Sequence, residues 1–402
     1  MTNETAAPTG SPHLFAAILA GAAVLVLLGL GRFGAVHLER AYITDIAPLL
    51  FQMKDEGCAF QRAAAGNPAI LPMYGSSELV KGAQNKASIY FRDAPTGFQV
   101  SPVGGGGTTS ITLAERIAAV LPDLAHRKVV ISLSPSWFLR QRVNPHFYAG
   151  NFSAMQAHEI IFGSAALSDA LRRDFATRML QFPATLAERP VLQTGTHAMA
   201  SPGPLGRFGY WLVWPFAQLH ELTFDLQDHF EALVRIHSVL RTPNAHLREN
   251  DKSEIAREAR ASKAERGRES QPAALDDEVR AGGDTAFLAH MNGSAEWQDF
   301  ELLLRLLKEA DIKPLILCIP MDGTLYDEAG ISKEARDQFY TKLETLTKEY
   351  GFPLADFSEH DEDPAFLEAH HYHLTGSGWL LYDETIDDFY HDRSLGGEVA
   401  TR

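Results

Sequence analysis

The chain has 402 residues, room for two or three domains of ~150 residues or for one large α/β domain. Hydrophobic residues make up 45% and charged residues 22%, which excludes wholesale disorder, collagen and a coiled coil. With 36 basic against 51 acidic side chains the net charge is −15, which argues against gripping nucleic acid through a basic surface but not against a local basic groove.

The first element is an anchor. Residues 14–31 read LFAAILAGAAVLVLLGLG without a charge, between His13 and Arg32. At 1.5 Å per residue the run reaches ~27 Å, enough for a thin hydrocarbon core. No other stretch of the chain could span a bilayer, so a polytopic membrane protein is excluded. A cleaved signal peptide is the rival, but residues 1–13 hold no Lys or Arg and the apolar run is long for one. The positive-inside rule counts Arg32 and Arg40 after the run and nothing before it, which places the body in the cytoplasm by two charges.

An amphipathic segment over 36–61 leads into the body. Strands are expected over 69–74, 128–133, 312–320 and 352–357, of which KVVISL at 128–133 is the clearest buried one. Gly104–Gly107 lacks the Lys of a phosphate-binding loop and reads as a flexible turn before a helix. Helices are expected over 297–310, with Trp297, Phe300, Leu303, Leu304 and Leu307 on one face, and from Ser332 to Gly351. Helix, strand, helix, strand, helix over 297–390 is a parallel α/β pattern. Residues 242–284 break it. The alternating charges of 251–269 predict a solvated helix or a mobile insertion. The two cysteines, Cys58 and Cys318, lie far apart and give neither a disulfide framework nor a zinc site.

Three segments carry possible chemistry. Gly75-Ser76-Ser77-Glu78-Leu79 follows the first strand and opens a helix, where a serine hydroxyl projects from a sharp turn and nearby N–H groups can receive an oxyanion. A plain helix cap is the blander reading. Residues 370–379 read HHYHLTGSGW; a histidine there can serve a serine as base. A structural loop, or a metal held by His370 and His373 with Asp361 and Asp363, are the alternatives. Ser134-Pro135-Ser136-Trp137-Phe138 follows the central strand at the end where α/β proteins bind ligands, or is a turn with a packing Trp.

In order along the chain, these blocks resemble the DltD family. The anchor, Gly75-Ser76-Ser77-Glu78-Leu79, Ser134-Pro135-Ser136-Trp137-Phe138, Asn151-Phe152-Ser153-x-x-Gln156, Ile319-Pro320-Met321-Asp322-Gly323, Gly351-Phe352, Ala355-Asp356-Phe357-Ser358 and His373-Leu374-x-Gly376-x-Gly378-Trp379 all match its pattern. The resemblance implies a three-layer α/β/α SGNH-hydrolase-like domain with a parallel sheet, behind one N-terminal transmembrane helix. It implies residues 1–13 as a tail, 14–31 as the anchor, 32–61 as a linker or helix, 62–392 as the α/β domain with its insertion at about 242–284, and 393–402 as a C-terminal tail. Ser77 becomes the nucleophile and His373 its base, with Ser76, Ser136 and Trp137 on the oxyanion and substrate side.

The family's Asp-x-x-His is His370-x-x-His373 here, so the third position falls to His370, Asp361, Asp363 or nothing. The implied function is acyl transfer, of D-alanine, onto a cell-envelope polymer such as teichoic acid, outside the cytoplasmic membrane. The implied partners are an acyl donor, the polymer acceptor, the membrane and a DltB-like membrane O-acyltransferase; no nucleic acid, cofactor or resident metal is expected. An exopolysaccharide O-acyl esterase or acetyltransferase, and a non-catalytic scaffold for the acyltransferase, are the rival functions.

Overall fold

The computed structural model describes residues 12–80, 85–163, 167–201, 203–241, 277–368 and 373–394. Five parallel strands form one sheet in the order β2-β1-β3-β4-β5: β1 (Ile70–Gly75), β2 (Gln99–Gly104), β3 (Lys128–Leu133), β4 (Lys313–Cys318) and β5 (Leu354–Ala355). Every residue of β1 is buried, because helices cover both faces and leave no side for polar alternation. Tyr74, Val103, Val129, Ile131, Leu133, Ile316 and Cys318 point to one face. They meet Ile111, Ile117, Leu303, Leu307, Phe339 and Leu343 from helices Ser110–Ala119, Glu296–Glu309 and Lys333–Tyr350. Leu71, Met73, Val100, Val130, Leu315 and Leu317 point to the other face, against Phe91, Trp379, Tyr382 and Ile386 of helices Ala87–Asp93 and Gly376–Tyr390. The three layers are those the resemblance implies.

Each expected strand is present. β2 escapes sequence reading, since Gln-Val-Ser-Pro-Val-Gly is neither alternating nor rich in apolar residues. It tolerates Pro102 because it is an edge strand. The expected helices are present too. Ser332 caps Lys333–Tyr350 by accepting from the Ala335 N–H at 3.2 Å, and Gly351 ends it in the left-handed conformation.

The apolar run is the first half of one helix, Pro12–Ile46. From His13 to Phe33 every residue is exposed, and burial begins at Ala35. The second half packs parallel to a long helix, Pro204–Arg241: Ile43 and Ile46 share a core with Ala232, Ile236 and Val239. Arg32 donates to both carboxylate oxygens of Asp225, at 2.7 and 3.1 Å. His229 lies 2.7 Å from Glu39 and 3.5 Å from Asp225. Of the charged insertion expected at 242–284, residues 242–276 lie outside those described, and the remainder opens helix Asp277–Gly293.

Burial lowers the affinity of His229 for a proton, but the hydrogen bonds to Asp225 and Glu39 outweigh it and lift the pKa to about 9 from 6.5. A raised pKa gives stability that is fully present below the unfolded value and lost as pH rises through the folded one. Melting of the detergent-solubilised chain is therefore expected to fall between about pH 6.5 and 9, and His229→Gln to flatten that fall. An unchanged slope in the variant would refute the assignment.

Candidate active site

Three strands end at one cavity. β1 lies between β2 and β3, so successive connections leave it in opposite directions, and the crevice at the carboxyl end of such a strand is where open α/β sheets bind ligands. A cavity of about 140 Å³ opens there, lined by Ser76 and Ser77 after β1, Gly107 to Thr109 after β2, and Ser136 and Trp137 after β3. Arg140, Arg142, Val143, Asn144, Phe147 and Glu296 complete the wall. Drug-sized ligands occupy ~300–1,000 Å³, so this cavity suits a small acyl group.

The turn that presents Ser77 is built from two facing glycines. Gly75 and Gly104 are register partners at the ends of β1 and β2. A side chain on Gly104 would meet the Gly75 carbonyl oxygen at 2.0 Å, and one on Gly75 would meet the Glu78 carboxyl at 2.2 Å. The backbones close up, and the buried Glu78 carboxyl folds back to accept the Ser76 N–H at 2.9 Å. Burial raises the pKa of Glu78, and that hydrogen bond opposes the rise. Ser76 spends its hydroxyl on the Gly105 carbonyl at 3.3 Å, which leaves Ser77 to face the cavity.

His373 reaches Ser77 from the far end of the chain. Its Nε2 lies 3.0 Å from the Ser77 Oγ, within general-base reach. The histidine is 4% exposed. Its backbone is held by a bridge between Leu367 and Leu374 and by the Glu368 N–H, which donates to its carbonyl at 2.8 Å. Thr375 caps the final helix by accepting from the Gly378 N–H at 3.1 Å. Asn85 Nδ2 donates to the Gly376 carbonyl at 3.3 Å, so the segment after the serine is tied to the segment after the histidine.

The other expected residues divide. Ser76, Ser136 and Trp137 line the same cavity as Ser77, and Ser136 Oγ is 2.9 Å from Ser134 Oγ. His370 lies outside the described residues. The Asp361 carboxylate is 3.2 Å from the buried Arg336 and 3.5 Å from Lys333. Asp363 accepts the Ala365 N–H at 2.8 Å and faces His360 at 3.7 Å. Among the described residues no group of three or more His, Cys, Asp or Glu side chains is placed to hold a metal ion.

The Gly-rich loop is not the flexible turn expected of it. Gly104 donates to Asp55 at 2.8 Å, and the Gly105 carbonyl accepts from Thr108 at 2.7 Å. Asn151 closes the loop: its Nδ2 donates to the Gly106 and Phe147 carbonyls at 3.0 Å, and its Oδ1 accepts from Thr108 and the buried Arg116. A run of glycines is flexible only while its carbonyls and amides face water, and these are bonded inward.

Among the cavity residues that escape the sequence reading are Arg140, Arg142 and Glu296. Arg140 and Arg142 stand two and four positions beyond Phe138, outside the Ser134–Phe138 block. Arg142 is exposed and Arg140 half-buried, its guanidinium 5.5 Å from the centre of the Phe147 ring. Among the described residues neither has a carboxylate partner. Glu296, an acid in the first turn of an amphipathic helix, looks from sequence like a solvated charge favoured by the helix dipole. It is instead 2% exposed. Its Oε1 accepts the Ser110 N–H at 2.7 Å, and among the described residues its buried Oε2 has no hydrogen-bond partner. Burial, reinforced by Asp299, pushes its pKa up.

Comparison with known proteins points to the family the blocks resemble. The chain is 28% identical over 355 residues to Protein DltD of Bacillus subtilis (strain 168), covering 86% of this chain and 88% of that protein. It is 24% identical over 326 residues to Protein DltD of Staphylococcus aureus (strain NCTC 8325 / PS 47), covering 78% and 79%. The family described as DltD protein matches residues 51–391, which takes in every strand and both arms of the Ser77–His373 pair, and the chain belongs to that DltD family.

Proposed function

We propose that this is a membrane-anchored acyl-transfer protein, its body outside the cytoplasmic membrane, that moves a D-alanyl group during D-alanylation of teichoic acid. Membership of the DltD family supports a role in D-alanylation. The observation that carries the chemistry is the 3.0 Å contact between His373 Nε2 and the Oγ of Ser77, a residue that lines a small cavity. Ser77 attacks the carbonyl carbon of a D-alanyl ester or thioester while His373 takes its proton. Backbone N–H groups at the Ser77 turn, with Ser136, receive the oxyanion. Collapse expels the alkoxide or thiolate, which His373 reprotonates, and leaves an alanyl-serine. An acceptor hydroxyl then gives its proton to His373, attacks the acyl carbon and releases Ser77. His370 stands where the family's acid orients the base.

The cavity wall suits both partners of this reaction. An alanyl group carries an ammonium, and the Glu296 carboxyl is the buried acid that meets it. The acceptor is a phosphate polymer, and Arg140 and Arg142 stand at the rim of a body that otherwise carries −15. A DltB-like membrane O-acyltransferase is the expected partner, with the anchor helix in contact with it.

The test is intact-mass analysis of the full chain in detergent after incubation with a D-alanyl thioester. The wild type is expected to gain one alanyl group and Ser77→Ala none. Glu296→Gln is expected to form the same adduct but to need roughly 10- to 100-fold more donor, since one hydrogen bond to a charged group is worth about 1.5–3 kcal/mol. A folded wild type that gains no mass would overturn the covalent step and favour a scaffold.

A further inference from the structure

The first half of the long helix Pro204–Arg241 carries an apolar face that no described residue covers. Leu205, Phe208, Trp211, Leu212, Leu219 and Leu222 are all exposed, Leu205 at 87% and Trp211 at 78%. Their spacing, with Pro215 between, is that of one stripe on one side of a helix. The opposite side is committed to the body. Gly206 and Ala217 are buried, and Tyr210 donates to the Ile161 carbonyl at 3.2 Å. From Phe208 to Gln218 there is no charged residue. Monomeric soluble proteins rarely leave so large a contiguous apolar surface in water.

Its position says what covers it. Arg32 closes the apolar run of the anchor, and Asp225 on the long helix is paired with it. His229 joins Glu39 one turn further on, so the two helices run in the same direction. Residues 13–33 are exposed on every side, so the first half of the long helix does not run along the span; Gly206, Tyr210 and Ala217 keep it against the body, and its stripe leaves the anchor at the level of Asp225. Leu222 lies ~5 Å back along the axis from Asp225 at 1.5 Å per residue. A helix that is half apolar, aromatic-rich and level with the end of a membrane span has the make-up of an interfacial element.

We propose that the Leu205–Leu222 face is a second membrane contact, immersed at the boundary between lipid headgroups and acyl chains beside the anchor. The inference rests on the membrane-anchored reading of residues 14–31. It fixes the body against the bilayer at two points and so prevents it from turning about the anchor.

The experiment uses the full chain in phosphatidylglycerol vesicles whose acyl chains are brominated either near the headgroup or near the tail end. Trp211 and Trp214 are two of five tryptophans, and Trp297 and Trp379 are buried in the body. The expected result is that the protein floats with the vesicles and that bromines near the headgroup quench its emission more than those near the tail end. In the Trp211→Phe/Trp214→Phe double variant the quenchable fraction disappears while flotation is kept. Flotation without quenching overturns the second contact and leaves the anchor standing, since the stripe then faces water or a protein. Failure to float overturns the anchor reading, and this inference with it.

Discussion

Replacing His373 by alanine is expected to slow turnover of a D-alanyl thioester by on the order of 10⁴-fold or more, and Ser77→Ala to do the same. A serine hydroxyl is a weak nucleophile until a base takes its proton, and His373 lies 3.0 Å away, so removing either side removes the same step. The double variant is expected to be no slower than either single one, because residues that act as a unit do not lose independently. Single-turnover release of the thiol measures all three. The variants are expected to stay folded. The histidine's backbone is held by the Leu367–Leu374 bridge and the Glu368 N–H, and neither depends on the imidazole. His373→Ala turning over at the wild-type rate would exclude this histidine as the base.

Gly104→Ala is expected to be the most damaging one-carbon change in the body. The new Cβ lands 2.0 Å from the Gly75 carbonyl oxygen, and the three nearest atoms are all Gly75 backbone, with no flexible side chain to yield. The φ of +154° is itself poor for alanine. A residue forced into such a region costs about 1–3 kcal/mol, and moving β2 off β1 adds to that. Thermal unfolding is expected to show a loss of ~3 kcal/mol or more. Because Gly75 is two residues from Ser77, acyl transfer is expected to fall about 10²-fold in whatever protein still folds, the usual scale of a 1 Å misplacement. Gly106→Ala is the internal control. Nothing lies within 4 Å of its Cβ position, so stability is expected to change by less than ~1 kcal/mol. Equal losses at the two glycines would refute the close-approach argument.

These two changes also show how much could be read before the fold was known. Ser77 and His373 stand in blocks with a recognisable order, and a strand-turn-helix signal singled out the serine. What could not be read is what depends on distant chain. Nothing local to Gly104 says that Gly75 is its neighbour, because parallel strands meet through long crossovers. β2 lacked an apolar pattern because it needs only one partner and carries a proline. Glu296 is polar, at a helix start, and buried only because the loop after β2 folds over it and offers the Ser110 N–H. Local rules place such an acid in water, and a functional cavity is where those rules are expected to fail. The long helix is the opposite case, an apolar stripe that lies exposed.

The anchor and the body share one uninterrupted helix, and burial begins at Ala35, three residues after Arg32. Three residues of α-helix are ~4.5 Å, less than one turn. If residues 14–31 span the bilayer as proposed, there is no slack between that span and the folded part, and the protein is mounted rather than tethered. A flexible linker would let the Ser77 cavity sweep a volume above the membrane, its span growing as the square root of linker length. A rigid mount fixes both height and compass bearing. Each residue added between Arg32 and Ala35 would swing the body about 100° around the anchor axis and lift it ~1.5 Å. The mount therefore acts as a phase setting, and the side of the anchor on which Ser77 opens is written into the number of residues in that one turn.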